Sequence, residues 1–177
     1  MRTLKKTLRS LKKVIQDYEP LQNYKVEDFS SFKISKSQSR SHYILLLPSA
    51  KPESIYGGIY TALSLVSSLT KVKLTDITIS STLPISEFNK QQTKDIIEKE
   101  FNLSPEQTQL IKVINESELG KGNVKESSVF ISTFWHTALT AHSILKHPDY
   151  SRETFYYLIQ DYEPGFYSWS SEYALAL

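Results

Sequence analysis

The chain has no cysteine, which excludes a disulfide framework, a thiolate nucleophile and any cysteine-based metal site. A reducing compartment is compatible with that composition. No apolar run approaches the roughly 20 residues that a membrane-spanning helix needs. The N-terminus is basic, but it lacks the continuous apolar core and small-residue cleavage site of a secretory signal. The four histidines show no metal-ligand spacing with acids, so no metal is expected. There is no GxGxxG for a dinucleotide and no GK[ST] for a nucleoside triphosphate.

What remains is a chain of 177 residues, 40% hydrophobic and 23% charged, which suits one domain plus a tail. The net charge of +2 hides an asymmetry. Residues 1–40 carry ten Lys or Arg against four acids, a net of +6, whereas residues 41–177 carry eleven against fifteen, a net of −4. Within the first part, residues 2–15 (RTLKKTLRSLKKVI) hold six basic residues and no acid. Leu4, Leu8, Leu11 and Ile15 fall there at helical spacing, an apolar stripe against a basic face. Such a helix suits the surface of an anionic membrane. It would equally dock on the body or on a partner with its lysines and arginines solvated. Because the basic charge is confined to this one short segment, nucleic acid is not expected as a partner.

From Gln16 to Ser41 the sequence is polar with scattered aromatics and ends in a linker-like SKSQSRS. The expected division is therefore 1–41 as basic helix and linker, and 42–177 as the body. The hexamer IQDYEP occurs at Ile15–Pro20 and again at Ile159–Pro164. No longer repeat surrounds either copy, so no duplicated domain follows.

The body opens on HYILLLP, an apolar run suited to a strand buried on both faces. A helix is expected from about Ile59 to Leu69. Strands follow at Leu74–Ser80, Leu110–Ile114 and Val129–Ser132, with a helix between Pro84 and Phe101 and a loop at GKGN near Gly120. Ser132 or Thr133 is expected to cap a helix running to about Leu145, and Phe155–Ile159 to form a fifth, buried strand. Strands separated by helices, with continuously apolar strand cores, predict an α/β fold. Its sheet is Rossmann-like and largely parallel, with helices on both faces.

Two places in this body invite a ligand. Gly57 and Gly58 precede the first helix, where they let backbone approach a ligand and leave amides for an anionic phosphate. A simple tight turn explains them as well. The stretch FYYLIQDYEPGFYSWSSEYALAL holds eight of the 21 aromatic residues, together with Gln160, Asp161 and Glu163. Hydroxyls want carboxylate and amide partners, and a sugar's apolar face wants an aromatic plane. Tyr162, Tyr167 and Trp169 are candidates for that plane, and Trp135 is read with Tyr167 and Trp169 as sugar-facing or interdomain. The alternative is an aromatic core strand followed by a structured turn. A glycosidase would need two carboxylates on opposite sides of the sugar, roughly 5–9.5 Å apart, and neighbours in one loop are poorly placed for that. His136 could face a cleft mouth or be an ordinary hydrogen-bonded or exposed residue; packing or capping roles suit His142 and His147.

The segment YLIQDYEPGFYSWSSEYALA resembles the signature of bacterial rhamnosyltransferases of the WsaF type, within the retaining family-4 glycosyltransferases. HYILLLPSAKPESIYGGIYTAL and VFISTFWHTALTAHSIL are similar to further segments of that family in the same order, so the resemblance covers roughly residues 42–177. It implies one half of a GT-B arrangement, the N-terminal, acceptor-side domain facing a donor-binding domain across a cleft. The nucleotide-sugar donor, dTDP-rhamnose, would sit on the second half, which these residues do not include. This chain alone would then be inactive and need no cofactor of its own. Many family-4 enzymes end the corresponding strand in a His-Asp pair; Gln160-Asp161 stands here. Asp161 is the residue carried over as catalytic, stabilising charge, with Glu163 on substrate hydroxyls. Members often carry Trp near the position of His136, which speaks against an essential imidazole. The resemblance further implies a saccharide acceptor, surface-polysaccharide synthesis, and a cytoplasmic site at the inner membrane face. A non-catalytic carbohydrate-binding remnant and an unrelated α/β regulator are the alternatives.

Overall fold

Five short runs lie side by side in one parallel sheet. The computed structural model describes Phe29 and residues 32–36 and 40–159. The strands are β1 (Lys33–Ser35), β2 (His42–Leu47), β3 (Asp76–Ser81), β4 (Ile111–Asn115), β5 (Lys121–Lys125), β6 (Val129–Ser132) and β7 (Tyr156–Tyr157). The main sheet has the order β4-β3-β2-β6-β7, and every pairing in it is parallel. From central β2 the chain steps through α1 (Gly57–Val72) to β3, then through α2 (Glu87–Glu100) and short α3 (Pro105–Gln109) to β4. It returns across the sheet to β6 and passes through α4 (Trp135–Leu145) to β7. Right-handed crossovers put helices on opposite faces when the direction of travel reverses. The Rossmann-like fold read from the sequence is the one found.

Ile44 through Leu47 are all buried, because both faces of β2 are covered; hence the run is apolar rather than alternating. Leu45, Leu47, Ile77, Ile79, Ile111 and Val113 pack on one face against Ile59, Leu63 and Val66 of α1 and Ile97 of α2. Ile44, Leu46, Ile114 and Phe130 pack on the other, against Ala141 and Ile144 of α4. Each such aliphatic side chain, fully covered, contributes about 1.5–3 kcal/mol.

The second face is only partly roofed by a helix. Between β4 and β6 the chain makes a single turn at Glu116–Glu118 and then β5, which pairs in parallel with β1 in a two-stranded ribbon. Leu119 and Val124 on that side join the second core with Phe29, Phe32 and Ile34. Phe29 is 3% exposed and meets Phe32 edge to face at 4.3 Å. Gly120 lies flat beneath Phe32, so close that a Cβ there would run into the ring. Packing of the body thus reaches back past His42 to Phe29. The loop expected at GKGN is instead the start of β5, because a partner strand from far upstream supplies hydrogen bonds that local propensity does not announce.

The fifth strand also differs from expectation. It is two residues long, and Tyr156 is 66% exposed and Ile159 61% exposed, whereas a buried strand was predicted. Among the described residues β7 pairs with β6 alone. Only Leu158 and Phe155 turn inward, one to each core. No helix among the described residues is long and apolar enough to cross a membrane.

Candidate functional site

Loops leaving β2 and β6 diverge, because α1 and α4 lie on opposite faces; ligands bind open α/β sheets at the crevice this creates. The loop after β2 is pinned rather than loose. Ala50 N donates to Ser81 Oγ at 3.0 Å, and Ser81 Oγ donates to the Leu83 carbonyl at 2.6 Å. Thr93 Oγ1 of α2 donates to the Ala50 carbonyl at 2.7 Å. The loop then makes one turn of 3-10 helix at Pro52–Ser54 and enters α1.

Gly57 has φ +49, in the left-handed region that costs other residues about 1–2 kcal/mol. Nothing lies within 4 Å of where its Cβ would stand. The conformation, not a close neighbour, is what requires glycine here. No side chain caps α1 and its first turn holds no acid. Both glycines are exposed, flanked by the half-exposed rings of Tyr56 and Tyr60. Tyr60 leans on Phe101 at 5.1 Å. The rim is therefore aromatic and open.

On the other side, Thr133 Oγ1 donates to the Leu46 carbonyl at 2.9 Å, tying the end of β6 to β2. The expected cap from Ser132 or Thr133 does not form. Phe134 occupies the cap position, and Thr137 Oγ1 reaches back to accept from the amides of Thr133 and Phe134 at 3.1 and 3.0 Å. Ser132 Oγ instead donates to the Thr137 carbonyl. Trp135, expected to face sugar or another domain, is 4% exposed and belongs to the core. His136, which could have faced the cleft mouth, is fully buried, 5.5 Å from the Phe134 ring and 5.6 Å from that of Trp135. Burial pushes its pKa down to about 3, so the imidazole is neutral at physiological pH. The burial of the first α4 residues depends on what other elements bring over them, which periodicity does not report.

One acid at this edge went unnoticed in the sequence. Glu116 immediately follows β4 and is buried. Its Oε2 accepts from Thr82 Oγ1 at 2.5 Å and its Oε1 from Thr140 Oγ1 at 3.0 Å. The carboxylate thereby joins the end of β3, the end of β4 and the second turn of α4. The available signal was its place, directly after an apolar run, where the C-terminal edge of a parallel strand must lie. Nearby, Lys90 Nζ donates to Glu87 and Glu118, each at 2.7 Å. Burial disfavours the Lys90 charge, but the bonds to Glu118 and Glu87 outweigh it and its pKa is raised. The hydrogen bond from Lys90 is the main reason that Glu118 is held down at about 2.

Gly57 and Gly58 stand at the rim. Gln160, Asp161, Tyr162, Glu163, Tyr167 and Trp169 lie outside the described residues, as does the basic segment 2–15. β7 runs parallel to β6, and Leu158 N donates to the Ser132 carbonyl at 2.8 Å. The described chain therefore arrives at this same edge at Ile159. Among the described residues no group of three His, Asp or Glu side chains is placed to hold a metal ion.

A family model described as the N-terminal domain of WsaF matches residues 43–177. That span runs from the second residue of β2 through the whole main sheet and on through the aromatic, acidic stretch. No curated protein matches the chain.

Proposed function

The chain belongs to the WsaF N-terminal domain family, and from that premise we propose that it is the acceptor-side domain of a bacterial glycosyltransferase. The observation that carries this reading is the family match itself, which takes in both the sheet and the stretch from Gln160 to Trp169. Support comes from the open edge at the β2/β6 divergence, where Gly57, Gly58, Tyr56 and Tyr60 form a rim suited to a flat, hydroxylated ligand.

In this reading the acceptor is a saccharide of surface-polysaccharide synthesis. Gln160, Glu163 and the Gly57–Gly58 amides engage hydroxyls, while Tyr162, Tyr167 and Trp169 lie against ring faces. Asp161 stabilises charge as the glycosidic bond forms. The transferred sugar is rhamnose, carried by a dTDP donor on a separate donor-binding half. The protein works at the cytoplasmic face of the membrane, with residues 2–15 on the lipid surface.

Trp135→Phe leaves Trp169 as the sole indole, and its fluorescence then reports saccharide titrations at the stretch in question. The expected result is a saturable change that Asp161→Asn and Glu163→Gln weaken by about tenfold or more, from loss of charged hydrogen bonds. Transfer from a nucleotide sugar should appear only when a donor-binding half is added. Transfer by these 177 residues alone would overturn the division of labour. Saccharide binding that never leads to transfer, with any donor half, would point to a binding remnant instead.

A further inference from the structure

Six residues of the candidate site occur twice in the chain. IQDYEP stands at residues 159–164, where the described chain leaves β7, and again at residues 15–20. An apolar residue precedes each copy, Leu158 in one and Val14 in the other. Before that the two diverge: Tyr156 and Tyr157 form β7, whereas Lys12 and Lys13 stand ahead of Val14. The identity thus begins where the strand ends. A repeat that served the fold would repeat the strand. This one repeats an amide, two carboxylates and a phenol, the groups that hold a hydroxylated ligand.

The fold brings both copies to one side of the molecule. The turn Glu116–Glu118 follows β4 at the C-terminal edge of the sheet, and β5 starts there and runs back to the N-terminal edge, where β6 begins. β1 runs parallel to β5, with Lys33 N donating to the Gly120 carbonyl and Glu126 N to the Ser35 carbonyl. The start of β1 therefore lies at the C-terminal edge, and Phe29, buried in one cluster with Leu119 and Phe32, anchors the chain there. Leu158 N, bonded to the Ser132 carbonyl, delivers the second copy to that same edge. The nine steps from Pro20 to Phe29 span up to roughly 30 Å, against about 20 Å for the width of a sheet of five strands. The first copy therefore reaches any point along the edge.

We propose that Gln16, Asp17, Tyr18 and Glu19 are a second saccharide-binding element of the candidate site, working beside the copy at residues 160–163. This rests on the saccharide reading of that copy and extends it to a segment outside the span 43–177 that the family model matches. The two copies do not exchange places. The second is fixed by β7 and by Leu158, which turns into the first core, and a lysine ahead of Val14 would bring charge to the half-buried place of Tyr157. Two carboxylates on each copy also define the ligand. Hydroxyls donate to carboxylates, whereas a phosphate or another anion is repelled by them. The element therefore takes a neutral saccharide.

The test uses the full chain carrying Trp135→Phe, with Trp169 fluorescence as the reporter and a rhamnose disaccharide as the probe. D17N/E19Q should weaken binding by about tenfold, as D161N/E163Q does, from loss of charged hydrogen bonds. E27Q/D28N removes the same charge from the same segment outside the hexamer and should bind within about twofold of the parent. Circular dichroism melts of all three variants should match the parent's. If D161N/E163Q weakens binding and D17N/E19Q does not, the inference falls and the saccharide site stands. If the parent binds no disaccharide, both fall together. Tighter binding by D17N/E19Q would make the first copy a competitor of the second and overturn the proposal. So would an equal loss in E27Q/D28N, or binding abolished by EDTA, which would give the carboxylates to a divalent cation.

Discussion

The two faces of the central sheet are covered in different ways. The first is roofed by α1 and α2, whose apolar residues come from the two crossovers that directly follow β2 and β3. The second is roofed by α4 and by a ribbon whose outer strand comes from Lys33–Ser35, upstream of the sheet. The first face is largely aliphatic. The second mixes apolar contacts with buried polar groups: His42 bonded to Ser128 and Thr78, and Glu116 bonded to Thr82 and Thr140. The helical roof built from neighbouring sequence is secured mainly by burial, with Thr93 and Lys90 of α2 adding side-chain bonds. A roof assembled from distant pieces leans on specific hydrogen bonds and on one glycine, and is the more easily opened.

The largest expected effect tests the first face. Leu63→Ala in α1 should cost about 2–5 kcal/mol of global stability, as a cavity in a core that cannot collapse. Urea denaturation should show that loss with an unchanged cooperative transition. The second test uses acid. His42 and His136 belong to the second face, and burial lowers their pKa to about 4 and about 3, with repulsion from Lys125 adding to the effect at His42. A histidine whose folded pKa is depressed leaves stability intact above its unfolded value near 6.5 and loses it as pH falls toward the folded value. Each should cost about 1.4 kcal/mol per pH unit below 6.5, and a pH series of urea midpoints should show it. The slope should shrink in His42→Asn; an unchanged slope would discard the assignment. Glu118, held at about 2, should add a further loss only between its usual carboxylate range and that value.

The ribbon itself comes next. Gly120→Ala drives a methyl into the Phe32 ring and should cost about 1–3 kcal/mol. Hydrogen exchange should then show the Val124 amide opening before the β2 amides do. If both open together, the ribbon is no weaker than the helical roof and the contrast between the faces fails. The smallest effect is at the rim, where Gly57→Ala should cost about 1–2 kcal/mol for its positive φ and Gly57→Asn distinctly less, since asparagine tolerates that region.

Much of this was readable in the chain. HYILLL named a strand buried on both sides, and the spacing of Ile59, Leu63 and Val66 named the helix that follows it. The candidate site was legible only in part. Gly57 and Gly58 announced the opening of α1, though the reason for Gly57 is its backbone conformation. Trp135 read as sugar-facing or interdomain, and His136 as either facing a cleft mouth or an ordinary hydrogen-bonded or exposed residue. Both are buried, which depends on what other elements bring over the start of α4 rather than on its own neighbours. Glu116 gave no sign of its partners, since Thr82 and Thr140 stand on two other elements.

The sequence by itself determined the order and kind of the elements and the parallel sheet they build, because apolar periodicity and helix–strand alternation are local properties of a chain. Its basic first 40 residues and its aromatic, acidic end were equally plain without a structure. Tertiary structure alone decided that Phe29, Phe32 and Ile34 help close the second face, that Lys33 confronts Lys121, and that His136 is buried while Tyr56 and Tyr60 stand at the rim. Each of those depends on what a distant segment brings into contact, and burial is a property of that meeting rather than of any residue's own neighbours.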